Sequence, residues 1–137
     1  MAQGVTPFLM FDGVAREALA LYTSVLPHSE IRRIERYGPG EAGAEGGVKR
    51  AVFTLAGQEC VCIDSPVRHA FTFMPSVSLV VECDSESEFA SVFQQLSAGG
   101  QVLMPPGDYG FSTRFAWFND RFGVSWQLIV EWDLRKG

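Results

Sequence analysis

Two side chains near the middle of the chain are of the types that carry out acid–base chemistry. Asp64 ends an apolar predicted strand, and His69 follows it in a stretch rich in aromatic rings. An isolated carboxylate can act as a general base, and an imidazole can shuttle a proton or donate a hydrogen bond to a ligand. Each also has a structural interpretation, because Asp64 can cap the turn at Ser65 and His69 can pack against backbone. The two are therefore candidate catalytic residues.

Three cysteines, Cys60, Cys62 and Cys83, offer thiol chemistry. A reactive thiol needs a nearby cation or helix N-terminus to lower its pKa, and the surrounding sequence indicates neither. The odd number of cysteines and the lack of an export-signal pattern at the N-terminus predict reduced thiols in a cytoplasmic protein. We expect the thiols to be buried, with a metal site built from Cys60, Cys62, Asp64 and His69 as the alternative.

Composition and charge restrict the class of protein and its partners. The chain has 137 residues, 47% of them hydrophobic, with eleven Phe and three Trp, which is typical of one globular domain with a ring-rich core. The net charge is −5 and the basic residues are scattered, so we expect no nucleic acid as partner. No apolar run approaches the roughly 18 residues that a membrane span needs, so we expect no membrane partner either.

The first half of the sequence reads as a strand, a helix and three more strands. Apolar residues from Ala15 to Leu26 recur at helical spacing, Pro27 ends that helix, and Asp12 or Gly13 can cap its start. The strands are predicted at Pro7–Phe11, Glu30–Tyr37, Lys49–Leu55 and Glu59–Asp64, with a glycine-rich loop over 38–47 and a hairpin turn at Ala56-Gly57-Gln58.

The second half repeats this order. Ser85 and Glu88 form a capping box before a helical stripe that ends at Gly99-Gly100. The strands are predicted at Val77–Cys83, Gln101–Met104, Ser112–Asn119 and Val124–Trp132, with a loop at Pro105–Gly110. Within this loop the run Gly107–Gly110 is either a lid or a simple turn. The α+β architecture is thus two βαβββ modules, about 5–75 and about 76–132, in a single domain spanning 1–137. A generic α+β domain without a repeat is the alternative.

Several segments in order resemble a known family. They are Pro7–Gly13, Ala18–Tyr22, Phe53–Gln58, Ser78–Cys83, Leu96–Gly100 and the turn and strand Asp120–Gln127. From about Thr6 to Ile129 the chain resembles the PhnB-like branch of the vicinal-oxygen-chelate superfamily, which includes glyoxalases, bleomycin-resistance proteins and dioxygenases. The resemblance implies two cupped mixed sheets that enclose a pocket, and a homodimer.

The resemblance also implies four strand positions for His and Glu ligands to a divalent metal. In this sequence they fall on Pro7, on Cys62 or Asp64, on Ser76 or Ser78, and on Gln127. Proline has no ligand atom and Gln127 is a neutral amide, so we predict neither the family metal nor any other cofactor. Ser78 and Gln127 are suited instead to hydrogen bonds with a polar ligand, or with each other.

The candidate residues and the resemblance together allow two functions. The first is a protein that binds a small, partly hydrophobic molecule in the cup, where Arg114 would bind an anionic group unless it forms a surface ion pair. Its candidate ligand-binding residues are Phe8, Met10, Cys62, Phe71, Ser78, Arg114, Trp117 and Gln127. The second is a lyase, isomerase or dioxygenase that uses a substituted metal site or the Asp64/His69 pair. Members of the branch often carry a methyltransferase label, but no glycine-rich loop opens a helix after the first strand.

Overall fold

The computed structural model describes residues 1–132, which form two helices and eight strands in two four-stranded mixed sheets. The elements are β1 Phe8–Phe11, α1 Ala15–Val25, β2 Glu30–Arg36, β3 Val48–Leu55, β4 Gln58–Asp64, β5 Leu79–Cys83, α2 Glu86–Ser97, β6 Gln101–Gly107, β7 Arg114–Asn119 and β8 Ser125–Val130. They fall into two compact units that divide after Ala70. The predicted α+β class is confirmed, and so is the repeat, because each unit has the order βαβββ.

In the first unit the strands lie in the order β1-β4-β3-β2, and β1 is parallel to β4. Helix α1 packs on one face through a stripe of residues that are fully buried: Ala15, Ala18, Leu19 and Tyr22. The opposite face, here called the first open face, carries Phe8, Met10, Val52, Val61 and Ile63. These side chains are half-buried, except Phe8, which is exposed.

The turn between β3 and β4 is the hairpin that the sequence predicts. Ala56 has φ +48° and Gly57 has φ +85°, between the paired residues Leu55 and Gln58. Two successive positive φ values are those of a type I′ turn, whose twist matches that of the two strands. Gly57 suits this conformation, whereas Ala56 adopts it at a steric cost.

The glycine-rich loop over 38–47 closes against the ring of Tyr37. Tyr37 donates a backbone hydrogen bond to Gly47 and accepts one from Gly46, each at 2.9 Å. A Cβ atom on Gly43 would lie 2.2 Å from the Tyr37 ring, so only glycine fits at that position. The glycines therefore allow backbone to cover a buried tyrosine.

The second unit repeats this topology, with the strand order β5-β8-β7-β6 and β5 parallel to β8. Helix α2 buries Phe89, Val92 and Leu96, and its Phe93 ring meets the Phe118 ring edge-on at 5.5 Å. Strand β6 runs on to Gly107, so the prediction of a loop from Pro105 is wrong. Register shifts on either side of Met104 and the edge position of β6 accommodate its two prolines.

The two helices begin in different ways. Ser85 Oγ accepts a hydrogen bond from the Glu88 backbone, and the Glu88 carboxylate accepts one from Asp84, so the predicted capping box of α2 is confirmed. The prediction of a cap by Asp12 or Gly13 on α1 is wrong. The N-cap of α1 is Val14, which makes no side-chain cap bond.

Candidate ligand-binding face

Asp64 supplies the missing cap of α1 from the end of β4. Its Oδ1 accepts a hydrogen bond from the Ala15 backbone and its Oδ2 accepts one from the Val48 backbone, both at 3.0 Å. The residue is 5% exposed, and its carbonyl accepts a hydrogen bond from the Tyr37 hydroxyl. The carboxylate thus lies on the helix face of the first sheet and not on the open face, where a general base would have to meet a ligand.

His69 lies in an exposed, irregular segment, where its Nε2 is 3.2 Å from Ser65 Oγ. Ser65 Oγ in turn donates to the Val67 carbonyl at 2.6 Å. Within residues 1–132, both carboxylate oxygens of Asp64 are bound to backbone N–H groups and neither is bonded to His69. The structure therefore does not bring the predicted acid–base pair into hydrogen-bond contact.

The three thiols are buried, as the sequence predicts. Burial raises the pKa of Cys60 to about 11 and the pKa values of Cys62 and Cys83 to about 12. Cys62 shares the helix face with Asp64, because residues two apart on a strand point to the same side. Cys62 therefore does not join Phe8 and Met10, which lie on the first open face.

Polar and aromatic side chains lie together on one face of the second sheet, the face that points away from α2. Strand alternation fixes its members, since Phe118 contacts α2 and the residues one position away point to the other side. We call this surface the second open face. It carries Ser78, Val80, Glu82, Met104, Phe115, Trp117, Asn119, Ser125, Gln127 and Ile129.

Ser125 holds the polar end of this face together. Its Oγ accepts a hydrogen bond from the Trp117 indole nitrogen at 2.9 Å and lies 2.6 Å from Ser78 Oγ. The predicted alternative of a hydrogen bond between Ser78 and Gln127 is wrong, because the partner of Ser78 is Ser125. Ser125 is not among the candidate residues predicted from the sequence. It lies two residues before Gln127, and this spacing, which puts both side chains on one face of β8, was the available signal.

Gln127 lies in the middle of the second open face, directly opposite Val80 on one side and Trp117 on the other. It is half-buried, and its side-chain amide forms no hydrogen bond with any of residues 1–132. Among residues 1–132, the buried side-chain polar atom that lacks a hydrogen-bond partner is Asn119 Oδ1. Because the Gln127 amide also lacks a partner but is not such a buried atom, solvent can reach it. The Gln127 amide is thus available to a ligand.

Aromatic rings occupy the other end of the same face. Phe115 is buried beneath Tyr109 and Phe111, whose rings meet it edge-on at centroid distances of 5.7 Å and 4.9 Å. The Tyr109 hydroxyl donates to the Pro105 carbonyl at 2.7 Å, which folds the hairpin tip back on itself. The second open face therefore has a polar end with two serines, a middle with Gln127 and Trp117, and an apolar end with a cluster of rings.

Two further predicted residues lie elsewhere. Arg114 projects from β7 on the helix face, with its guanidinium carbon 5.8 Å from the centre of the Phe89 ring. Phe71 is exposed in the irregular segment before β5. Of the eight candidate ligand-binding residues, Ser78, Trp117 and Gln127 share the second open face, and Phe8 and Met10 share the first open face. Arg114 and Trp117 are three residues apart on one strand, and an odd spacing puts two side chains on opposite faces. The sequence therefore contains a signal that the two residues do not share a site.

Comparison with known proteins assigns the family. The sequence matches the family described as 3-demethylubiquinone-9 3-methyltransferase over residues 3–129. A PhnB protein from Bacillus cereus is 52% identical, with 93% of this chain and 99% of that chain covered and a TM-score of 0.91. The chain belongs to this PhnB-like family. A search of curated proteins finds no match.

Other solved structures extend the likeness of this PhnB-like chain. Protein PA1353 from Pseudomonas aeruginosa is 26% identical, with 95% of this chain and 98% of that chain covered and a TM-score of 0.83. The fosfomycin resistance protein FosX from Listeria monocytogenes, solved with Mn(II), is 12% identical with a TM-score of 0.65, covering 94% of this chain and 93% of that chain. At that identity the likeness concerns the fold alone, the glyoxalase and bleomycin-resistance fold.

The residues of this PhnB-like chain do not fit a metal of the superfamily type. The Cys62 thiol has a raised pKa on the helix face, and Asp64 uses both carboxylate oxygens on backbone N–H groups. Ser78 is bonded to Ser125, and Gln127 offers only a neutral amide. Within residues 1–132 no group of three or more His, Cys, Asp or Glu side chains is placed to hold a metal. Neither described helix is long and apolar enough to cross a membrane.

Proposed function

We propose that this PhnB-like protein binds a small, uncharged and partly hydrophobic molecule on the second open face. The observation that carries the proposal is the side-chain amide of Gln127, which is half-buried, faces this surface and has no hydrogen bond with the described residues. An amide both donates and accepts, so it can orient a ligand that carries a hydroxyl, carbonyl or amide group.

The neutral character of the surrounding groups favours an uncharged ligand. Ser78, Trp117 and Ser125 form a hydrogen-bonded chain of uncharged groups beside Gln127. Glu82 is the ionisable residue of this face, and it is exposed at the end away from the serines. Burial of a charged group without an opposite charge is costly, so a charged ligand would bind weakly next to Gln127.

The rings support an apolar body on the ligand. The Trp117 ring and the half-exposed rings of Tyr109 and Phe111 lie along the same face as the Gln127 amide. Aromatic side chains combined with a few polar groups are typical of small-molecule sites. A ligand that places its polar group at Gln127 and a ring or hydrocarbon chain toward Tyr109 satisfies both ends.

The first experiment is native mass spectrometry of the protein as purified, before and after addition of nickel, zinc and ferrous ions. We expect a homodimer that carries no stoichiometric metal, and a co-purified organic mass would identify a ligand. A bound stoichiometric metal would overturn the proposal in favour of an enzyme with a substituted metal site. The same sample reports the subunit count, which the family resemblance predicts to be two.

The second experiment is a thermal-shift screen of neutral ring-containing compounds and antibiotics, repeated on variants. Gln127→Leu removes the amide at nearly constant volume, and we expect it to weaken binding of any hit about ten-fold. Gln94→Leu is the matched control, because Gln94 is exposed on α2, and it should leave binding unchanged. A screen in which no compound raises the melting temperature, or hits that bind Gln127→Leu equally well, would contradict the proposal.

A further inference from the structure

A groove lies on the helix face of the second sheet, opposite to the second open face. It is between the start of α2 and the base of the β6–β7 hairpin. It has a volume of about 480 Å³, within the range of small-molecule sites. Its wall combines aromatic and aliphatic groups with one base and one acid. The lining residues are Glu86, Phe89, Ala90, Phe93, Pro106 and Arg114.

Arg114 is the group in this groove that points to a ligand. It is half-buried, and within residues 1–132 its guanidinium donates no hydrogen bond and pairs with no carboxylate. The described interaction of the guanidinium is its contact over the Phe89 ring, 5.8 Å from the ring centre. The surface ion pair that is the alternative prediction for Arg114 does not form among these residues, although Arg33, Arg50 and Lys49 all have carboxylate partners.

We propose that this groove binds a small monocarboxylate with a ring or short hydrocarbon body, and that Arg114 is the partner of its carboxylate. A guanidinium presents a planar fork of donors that matches a carboxylate in a bidentate pair. The rings of Phe89 and Phe93 and the side of Pro106 offer the apolar wall for the body. The site is distinct from the second open face, because Arg114 and Gln127 project from opposite sides of the sheet.

Glu86 disfavours a second negative charge on the ligand. Its side chain is exposed at the rim of the groove and forms no ion pair with Arg114. A carboxylate bound at Arg114 feels a weak repulsion from Glu86 through solvent. A dianion such as a phosphate monoester would pair one charge with Arg114, but its second charge would have no cation among the lining residues and would lie between rings and an acid. The charge pattern therefore favours a monocarboxylate over a phosphate.

The probe is 4-fluorophenylacetate. Its binding is measured by fluorine NMR of the probe and by changes in the backbone amide chemical shifts of Glu86, Ala90 and Arg114. We expect Arg114→Met to weaken its binding about ten- to a hundred-fold, the usual effect of losing a hydrogen bond to a charged group. The neutral 4-fluorophenylacetamide should bind the variant and the unmodified protein equally. Arg121→Met is the matched control, since Arg121 also lies 5.8 Å over a ring, that of Phe122, but is exposed.

Two more variants keep the test decisive if Arg114→Met proves unstable. Ala90→Trp adds a ring at an exposed helix position that lines the groove, and it should abolish binding of both probes. Glu86→Gln should tighten binding of the carboxylate about two-fold by removing the repulsion. Equal binding to Arg114→Met, or the lack of amide shifts at the groove, would overturn the inference. Gln127→Leu should leave this site intact, so the two proposals fail independently.

Discussion

The hydrogen bonds of Asp64 indicate a structural role for this residue rather than a catalytic one. A carboxylate at the end of an apolar strand suggested a base, but its two oxygens accept hydrogen bonds from the Ala15 and Val48 backbones. Negative charge at the first turn of α1 also complements the helix dipole. The geometry is that of a helix cap supplied by a distant strand, and it leaves no lone carboxylate oxygen facing His69 among the described residues.

Replacement of Asp64 tests this structural role. Asp64→Asn should lower the free energy of unfolding by about 2 kcal/mol or more, because the amide keeps one acceptor and turns a donor toward a buried N–H group. Urea denaturation measures the change. Asp12→Asn is the control, since Asp12 is exposed and lies 4.0 Å from Arg68 in a surface ion pair, so its loss should matter little. Equal stabilities of the two variants would contradict the cap.

The thiols give a prediction about pH. Burial holds the pKa of Cys60 at about 11 and those of Cys62 and Cys83 at about 12, above that of an unfolded thiol, about 8.5. The folded state therefore keeps protons that the unfolded state releases. The stability that the thiols contribute is complete below about pH 8.5, and it declines as the pH rises toward 11 and 12.

Ellman's reagent checks the same property at neutral pH. We expect the native protein to react negligibly and all three cysteines to react in guanidinium. Rapid labelling of even one thiol in the folded protein would show that a cysteine is accessible as thiolate.

At the scale of elements, the hairpin between β3 and β4 combines a favourable glycine with an unfavourable alanine. Gly57 takes its positive φ at little cost, whereas the Cβ of Ala56 strains the left-handed conformation at φ +48°. The turn is further fixed from outside, because the Ala56 N–H donates to Ser29 Oγ at 2.9 Å and the Gly57 N–H donates to the His28 carbonyl at 3.0 Å. These bonds hold the strained turn in place.

A change of the turn sequence should therefore alter stability in a predictable direction. Ala56→Asn produces the Asn-Gly pair that type I′ turns prefer, and we expect it to raise the free energy of unfolding by about 0.5 kcal/mol. Gly57→Ala should lower it by about 1 kcal/mol, because a second Cβ enters the left-handed region. Thermal unfolding of both variants decides the matter, and a destabilised Ala56→Asn protein would be the contrary result.

For the whole molecule, charge is the property that governs encounters with other macromolecules. The net charge of −5 and the pI of about 4.9 oppose association with a polyanion. In the first unit, Arg32, Arg33 and Arg50 are within 4.0 Å of glutamates, which reduces the positive potential of their surface. The arginine-rich strand β2 is thus a balanced surface rather than a basic patch.

We therefore predict that the protein does not bind nucleic acid. Fluorescence anisotropy of a labelled DNA duplex should remain constant on titration with the protein, even at low salt, where phosphate contacts are strongest. Binding that weakens steeply with added salt would contradict this expectation. A triple variant that replaces Glu30, Glu35 and Glu41 by glutamine is a useful comparison, because it exposes the positive charge that these residues balance.

Local signals in the sequence determined the order of elements, the repeat, the capping box of α2 and the hairpin at Ala56-Gly57. Each of these depends on residues within a few positions of one another, so propensity and periodicity are sufficient to predict them. Alternation along β8 is also sufficient to place Trp126 and Gln127 on opposite faces. Their environments agree, because Trp126 is buried and bonded to Asp120, whereas Gln127 is on the second open face.

Tertiary structure alone decided which distant residues meet. Asp64 caps a helix that starts 49 residues earlier, and Ser78 bonds to Ser125 across 47 residues. Such contacts depend on strand order and register, which the two halves of the sequence do not reveal locally. For the same reason the groove at Arg114 became visible only once β7 was placed against α2, since a side chain acquires its neighbours from the sheet and the helix together.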